Sequence, residues 1–525
     1  MFNKILLTCY YAIVKNKSIT LLERLSQPIL IFAEKHPKLH FQVFSYIRDI
    51  RERQIKDAKE FQSSSKRPSD NDLALHSFFL FEIFFTEAFN ALEKGLDKVY
   101  QARPNLFLNK NVADYKEFIN KTAPSLTSTG AYINLPILCN INKATIQPFG
   151  VSLNSLPDGI KYIQLQLYKT FPSFIILSGQ IILEEKVNLD LDKYINGYFE
   201  SKISLKSLNP RRFGFLSSLP ELEKAKAIKD FITEQKTNVE KFINSYFKGL
   251  FLSTGEGCPS IEIYTMSRLD ISDDLIHWRS SDKDFWRTLG FDWPYRQLIF
   301  SNPPFSFFYD HNKELSFSHK LIIDKAQIDT KYYGSTDGAI IMESFLLVTE
   351  FIRSFAFIEL LNHYINREKC LNTSMENIVN AKPKKSFRNI IRLQQEIFQS
   401  SMKTEKIIDE YESLMTRMPG YWRKDQLELF DLKKEKKLAD FLLENIDFRK
   451  KLLLNPYKLI NSHADRFLES KSIQVNYSLQ RSIRVLSAIL LIAAVIQILV
   501  ALKIDFSDLL HKIMHVWQNI FSPAL

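Results

Sequence analysis

Hydrophobic and polar positions alternate with different periods along the chain, and the changes of period divide it into five parts. Residues 1–124 read as a helical N-terminal region. "MFNKILLTCYYAIV" opens it as a first amphipathic helix, and Phe44, Ile47, Ile50 and Ile55 recur at helical spacing further on. Ser63 to Asp72 is a polar linker. The following "LALHSFFLFEIFFTEAFNALEKGL" is apolar on nearly every side and predicts a buried helix.

Residues 125–335 change character. "YINLPILC", "ATIQPFGVSL", "IKYIQLQLYKTF" and "SFIILSGQIILE" are short β-prone runs separated by Asn, Pro, Asp and Gly. Two helical stretches follow, near Leu191–Ser201 and Glu221–Phe247, and then the strand-like "SIEIYTM", "RQLIFS" and "KLIIDKA". Closely spaced strands with turn residues between them predict a mixed, mainly antiparallel sheet in an α+β domain.

Residues 336–480 are helical again and predict a hairpin or stalk. A heptad places Ile390, Ile397, Thr404 and Tyr411 at one seam position and Leu393, Ser400, Ile407 and Leu414 at the other, the pattern of a coiled coil and of self-association into a homo-oligomer. Met418-Pro419-Gly420 ends this helix and Asn455-Pro456 breaks the next. No breaker follows, so one helix of about 70 Å is expected from Tyr457 through Lys503.

From Val485 to Leu502 the chain reads "VLSAILLIAAVIQILVAL", with no charge, proline or glycine. Crossing a bilayer takes about 20 apolar residues, so 485–502 predicts one transmembrane helix with the lipid bilayer as partner. Arg466, Lys471, Arg481 and Arg484 precede it, whereas Lys503 and Lys512 follow. That asymmetry predicts a single-pass protein with its N-terminal bulk in the cytoplasm. Gln497 lies inside the run, where an amide favours a helix–helix hydrogen bond. Residues 504–525 place Phe506, Leu509, Leu510, Ile513, Trp517, Ile520 and Phe521 at helical spacing, which predicts an amphipathic tail in the interface. His511 and His515, four apart, share one side of it.

Composition narrows the function classes. The 525 residues are too many for one ordinary core. Only 14 are glycine, which counts against a fold rich in phosphate-cradling loops. The net charge of +11 suits an anionic surface, but it is spread along the chain, which argues against nucleic acid. Short basic runs at Lys382–Lys385, Lys433–Lys437 and Arg449–Lys451 read as solvated faces. Cys9, Cys139, Cys258 and Cys370 lie far apart, without zinc or redox spacing, and read as reduced thiols.

Three stretches carry candidate chemistry. Asn302-Pro303-Pro304-Phe305 follows the strand-like "RQLIF" and resembles the catalytic tetrapeptide of S-adenosylmethionine-dependent amino-methyltransferases. The resemblance implies that the Asn302 amide and the Pro303 carbonyl accept the target amine and that Phe305 stacks on the substrate. It also requires a glycine loop for the cofactor, for which Gly255 and Gly257 are the candidates, although "PSIEIYTM" after them reads as a strand and not as the opening of a helix. Asp273, Asp274 and His277 are candidate ligands for a divalent cation, in a spacing that fits no known loop. The last quarter of the chain, with "NYSLQRSIRVLSAILL", resembles the stalk-to-membrane junction of CorA-type magnesium channels, but the Gly-Met-Asn signature of that family is absent.

The leading expectation is a membrane-anchored binding, sensor or scaffold protein that needs no cofactor and takes a protein or small-molecule partner. The alternatives are an amino-methyltransferase using S-adenosylmethionine, and an oligomeric pore or CorA-like relative.

Overall fold

The structure is a computed structural model. It describes residues 52, 55–69, 71–101, 115–120, 132–140, 151–199, 203–207, 214–217, 219–267, 283–291, 297–310, 318–331, 333, 335–379, 383–417, 429–431, 435–501, 511–512 and 515. The expected first helix at 1–14, the Met418-Pro419-Gly420 stop, the Asp273, Asp274 and His277 cluster and most of the 504–525 tail lie outside these residues.

The helices, in chain order, are α1 (55–64), α2 (Phe89–Gln101), α3 (115–120), α4 (Glu185–Ile195), α5 (Pro220–Tyr246), α6 (Leu250–Thr254), α7 (Lys283–Thr288), α8 (Thr336–Val379), α9 (Pro383–Arg417) and α10 (Leu438–Ala501). The strands are β1 (Ala74–Phe85), β2 (Tyr132–Asn134), β3 (Ile137–Asn140), β4 (Val151–Asn154), β5 (Ile160–Phe171), β6 (Phe174–Leu183), β7 (Ile203–Ser207), β8 (Gly214–Ser217), β9 (Ser260–Met266), β10 (Gln297–Asn302), β11 (Phe305–Asp310), β12 (Ser318–Asp324) and β13 (Phe430–Asp431). The chain divides into two compact units, Met1–Asn362 with Ile407–Arg449, and His363–Lys406 with Lys450–Leu525.

The first unit is built on a sheet of order β13-β10-β11-β12-β9-β1-β6-β5-β3-β4, with β2 also paired to β5. All pairs are antiparallel except β3 with β4 and β9 with β12. The mixed sheet expected of 125–335 is present, and it is larger than expected. Its central strand, β1, comes from the segment read as a buried helix. That reading is corrected for Ala74–Phe85, whereas 89–96 at the end of the segment is helical as expected. An apolar run without a polar face fits a buried helix and a strand covered on both sides equally well, and pairing with β6 and β9 decides for the strand.

The two faces of β1 serve two layers. Phe78, Leu80 and Phe84 enter a core with Leu92 and Leu96 of α2, Val187, Leu191 and Ile195 of α4, and Ile228, Ile232, Val239 and Ile243 of α5. The four-residue spacing of these helix positions makes one apolar stripe per helix. On the opposite face Phe81 meets Phe355 of α8 edge-on, with ring centroids 5.6 Å apart. The β5–β6 hairpin closes on stacked Phe171 and Phe174, and Glu410 of α9 accepts hydrogen bonds from the backbone N–H and hydroxyl of Ser173 in its turn. Helix α5 starts with Pro220 in its first turn, beside Glu221 and Glu223, which suit the positive end of the helix dipole.

The second unit is helical. Of the heptad positions it contains, Leu393, Ile397, Ser400 and Thr404 are buried, while Phe398 and Met402 on the other side of α9 are exposed. Helix α10 has 64 residues, of which those from Lys450 onward belong to this unit. The break expected at Asn455-Pro456 is absent, because helix continues through both residues. A proline removes one N–H donor and strains the preceding turn, which bends a long helix without having to end it. Within α10, Ser478–Ile498 is long and apolar enough to cross a membrane, and none of it is buried.

Candidate functional site

The most concentrated chemistry among the described residues sits inside the sheet-based unit, between β9 and α5. Alternation along β9 sends Glu262 and Tyr264 to the α5 side and Ile261 and Ile263 to the other. Lys320 stands opposite Glu262 in the parallel β9–β12 register and shares its face. The Lys236 Nζ of α5 donates to Glu262 Oε1 at 2.6 Å, the Tyr264 hydroxyl donates to Oε2 at 2.9 Å, and Lys320 Nζ lies 4.0 Å from Oε2. The wall around them is aromatic. Lys320 Nζ is 5.5 Å from the centre of the Phe291 ring, and Phe291 meets Tyr264, Trp286 and Phe308 edge-on. Gly290, at φ +77°, lets the chain pass close to this ammonium, since a Cβ there would stand 3.2 Å from Lys320 Nζ.

Burial pushes the Lys236 pKa below its ordinary value, against the pull of the Glu262 carboxylate. Burial and the same carboxylate push the Tyr264 phenol well above its ordinary value, so it stays a hydrogen-bond donor. One carboxylate thus holds two ammonium groups and a phenol where water is nearly excluded.

A second carboxylate group lies along the same sheet face. Glu82, the one charge in β1, accepts from the backbone N–H groups of Ile83, Phe251 and Leu252, each at 2.8 Å. It thereby caps the short α6. Gly249 makes the approach possible, because a Cβ there would fall 2.2 Å from Glu82 Cγ. Burial pushes the Glu82 pKa up to about 7, against these backbone donors. Glu240, one turn after Lys236 on α5, accepts from the Cys258 N–H at 2.7 Å. Burial, helped by Glu82 and Glu240, raises the Cys258 thiol well above its ordinary pKa, so it is held as a thiol and not as a nucleophilic thiolate.

The residues singled out from the sequence fall elsewhere. Asn302-Pro303-Pro304-Phe305 is the tight turn of the β10–β11 hairpin, with Asn302 opposite Phe305 and a cis bond between the prolines. Asn302 and Pro303 are exposed, and the Pro304 carbonyl accepts from the Asp324 N–H at 2.9 Å. Gly255 and Gly257, both at φ +76°, form the turn from α6 into β9. Gly255 is the left-handed residue that ends α6, and Gly257 lies against Glu240. Phe305 aligns through Ile323 with Thr265, near the C-terminal end of β9, whereas the glycines precede Ser260 at its N-terminal end. The tetrapeptide and the glycine turn therefore stand at opposite ends of a seven-residue strand, about 20 Å apart along it, and do not form one site. His511 and His515 are in helical conformation and exposed. Among the described residues, no group of three His, Cys, Asp or Glu side chains could hold a metal ion.

Lys236, Tyr264, Glu262, Lys320 and Glu82 were not among the candidates read from the sequence. A signal for two of them was present: a single carboxylate inside an apolar strand, as in "FLFEIFF" and "SIEIYTM", marks a buried charge that must find partners.

Compared with known protein families and with curated proteins, the chain matches none.

Proposed function

We propose that the chain is a single-pass membrane protein whose sheet-based unit stands on the cytoplasmic side and binds a protein or small-molecule partner without catalysing a reaction. One observation carries the reading. The helix Ser478–Ile498 is unburied throughout, and Leu479, Ile483, Leu486, Ile489, Leu490 and Ile496 expose apolar side chains around it. Each such side chain gains roughly 1.5–3 kcal/mol on leaving water, which makes a bilayer the natural solvent for this segment. The excess of arginine and lysine before the helix supports the cytoplasmic side for the N-terminal bulk. The Gln497 amide, exposed on the apolar helix, supports self-association through the span.

The interior groups described above are engaged in contacts within the fold. Lys236 is tied to Glu262, Tyr264 is held as a donor, Cys258 is held as a thiol, and Glu82 is spent on capping α6. Alkaline carbonate extraction of membranes carrying the full chain tests the anchor. The protein is expected in the pellet, and its release into the supernatant would refute the reading.

A further inference from the structure

We infer that Arg481 and Arg484 bind the headgroups of anionic phospholipids at the N-terminal edge of the span, an inference that rests on the membrane reading above. Both residues are helical and exposed, and they lie within the apolar helix that begins at Ser478. Three residues apart, they point about 60° from one another around the helix and are offset by about 4.5 Å along it, so one stretch of headgroups meets both.

Nothing on their own helix neutralises them. The positions three and four away are Tyr477, Ser478, Gln480, Ser487, Ala488 and Val485, none of them acidic. No Asp or Glu occurs from Ser470 through Ile504. Among the described residues neither arginine makes an ion pair, whereas Arg392 on the exposed side of α9 has Glu396 one turn away. An arginine at the end of an apolar helix extends its aliphatic stem along the acyl chains and its guanidinium to the phosphate level. Its planar fork matches phosphate oxygens in pairs. The other end of the span differs. Lys503 and Lys512 are offset there by Asp505 and Asp508, so the net positive charge lies at the N-terminal end.

The test uses the full chain reconstituted in nanodiscs of phosphatidylcholine mixed with phosphatidylglycerol, with native mass spectrometry of the lipids it retains. Each arginine near an anionic surface is worth about five-fold in association, so enrichment of phosphatidylglycerol is expected to fall by on the order of thirty-fold in R481Q/R484Q. The charge reversal R481E/R484E is expected to favour phosphatidylcholine. Both variants should stay in the pellet on carbonate extraction, which separates lipid choice from anchoring. Equal lipid ratios in the parent chain and R481Q/R484Q overturn the inference and leave the anchor standing. Release of the parent chain by carbonate overturns both. Loss of enrichment in inorganic phosphate, but not in chloride of matched ionic strength, assigns the arginines to a free anion and overturns the lipid assignment.

Discussion

Lys236 and Glu262 meet at 2.6 Å between α5 and β9, with their side chains only 13% and 5% exposed. Removing two charges from water is costly, and here their attraction is reinforced by the Tyr264 hydroxyl and by Lys320. Glu262→Gln would leave two ammonium groups without their carboxylate. A loss of about 3–5 kcal/mol is expected in urea denaturation followed by tryptophan fluorescence, since Trp286 lies in the same aromatic wall. The apolar triple variant K236M/E262L/K320M should regain most of it. A loss under about 1 kcal/mol for Glu262→Gln would show that the pair contributes little.

Glu82 predicts an unusual dependence on pH. Its folded pKa of about 7 lies above the ordinary carboxylate value of 4.5. Between those values the folded state binds more protons than the unfolded state, so stability falls as pH rises through this window and levels off above it. The full drop is about 3 kcal/mol. Denaturation midpoints from pH 4.5 to 8 should decline in the parent chain and flatten in Glu82→Gln. Parallel profiles for the two proteins would place the pH dependence elsewhere.

A charge in the middle of the apolar helix separates a bilayer span from a protein-covered helix. Leu491 is 69% exposed, the most open apolar side chain there. An arginine at the centre of a span costs about 2.5–3.5 kcal/mol on the insertion scale. Leu491→Arg is expected to move a large fraction of the chain into the carbonate-soluble or aggregated pool. Unchanged membrane retention would mean that this helix is not in hydrocarbon.

Asn302 closes the β10–β11 hairpin through its position opposite Phe305, and it is exposed. Asn302→Ala is therefore expected to change stability by no more than about 0.5 kcal/mol. Isothermal titration of the full chain with S-adenosylmethionine is expected to give no binding heat. Micromolar binding, with methyl transfer lost in Asn302→Ala, would restore the enzymatic alternative.

The candidate site was legible only in outline. Glu82 and Glu262 stand out as single charges in apolar strands, but their partners lie 169 and 26 residues away along the chain, at Phe251 and Lys236. Lys236 is one of many lysines on a polar-looking helix, and nothing local separates it from Lys229 or Lys241. Lys320 becomes part of the cluster only because β12 runs parallel to β9 in a register that sets it opposite Glu262. The proline-rich turn shows the converse. Its local chemistry marked a proline-stiffened turn, and only the pairing of β10 with β11 shows that the turn closes a hairpin.

Local physical chemistry determined the features that a chain segment expresses alone. A charge-free apolar run of about 18 residues is longer than an ordinary strand and long enough to approach the span of a bilayer, so an apolar helix at 485–502 was visible from composition. Turn residues between β-prone runs fixed most strands after residue 130, and the heptad fixed which side of α9 would be buried. Tertiary structure decided what depends on partners. Whether Ala74–Phe85 became helix or strand rested on two neighbouring strands that come from residues 174–183 and 260–266. A segment apolar on all sides satisfies either conformation, and only the hydrogen-bond partners for its backbone distinguish them. The charge cluster followed from the same cause, because sheet register, and not sequence distance, sets which side chains share a face.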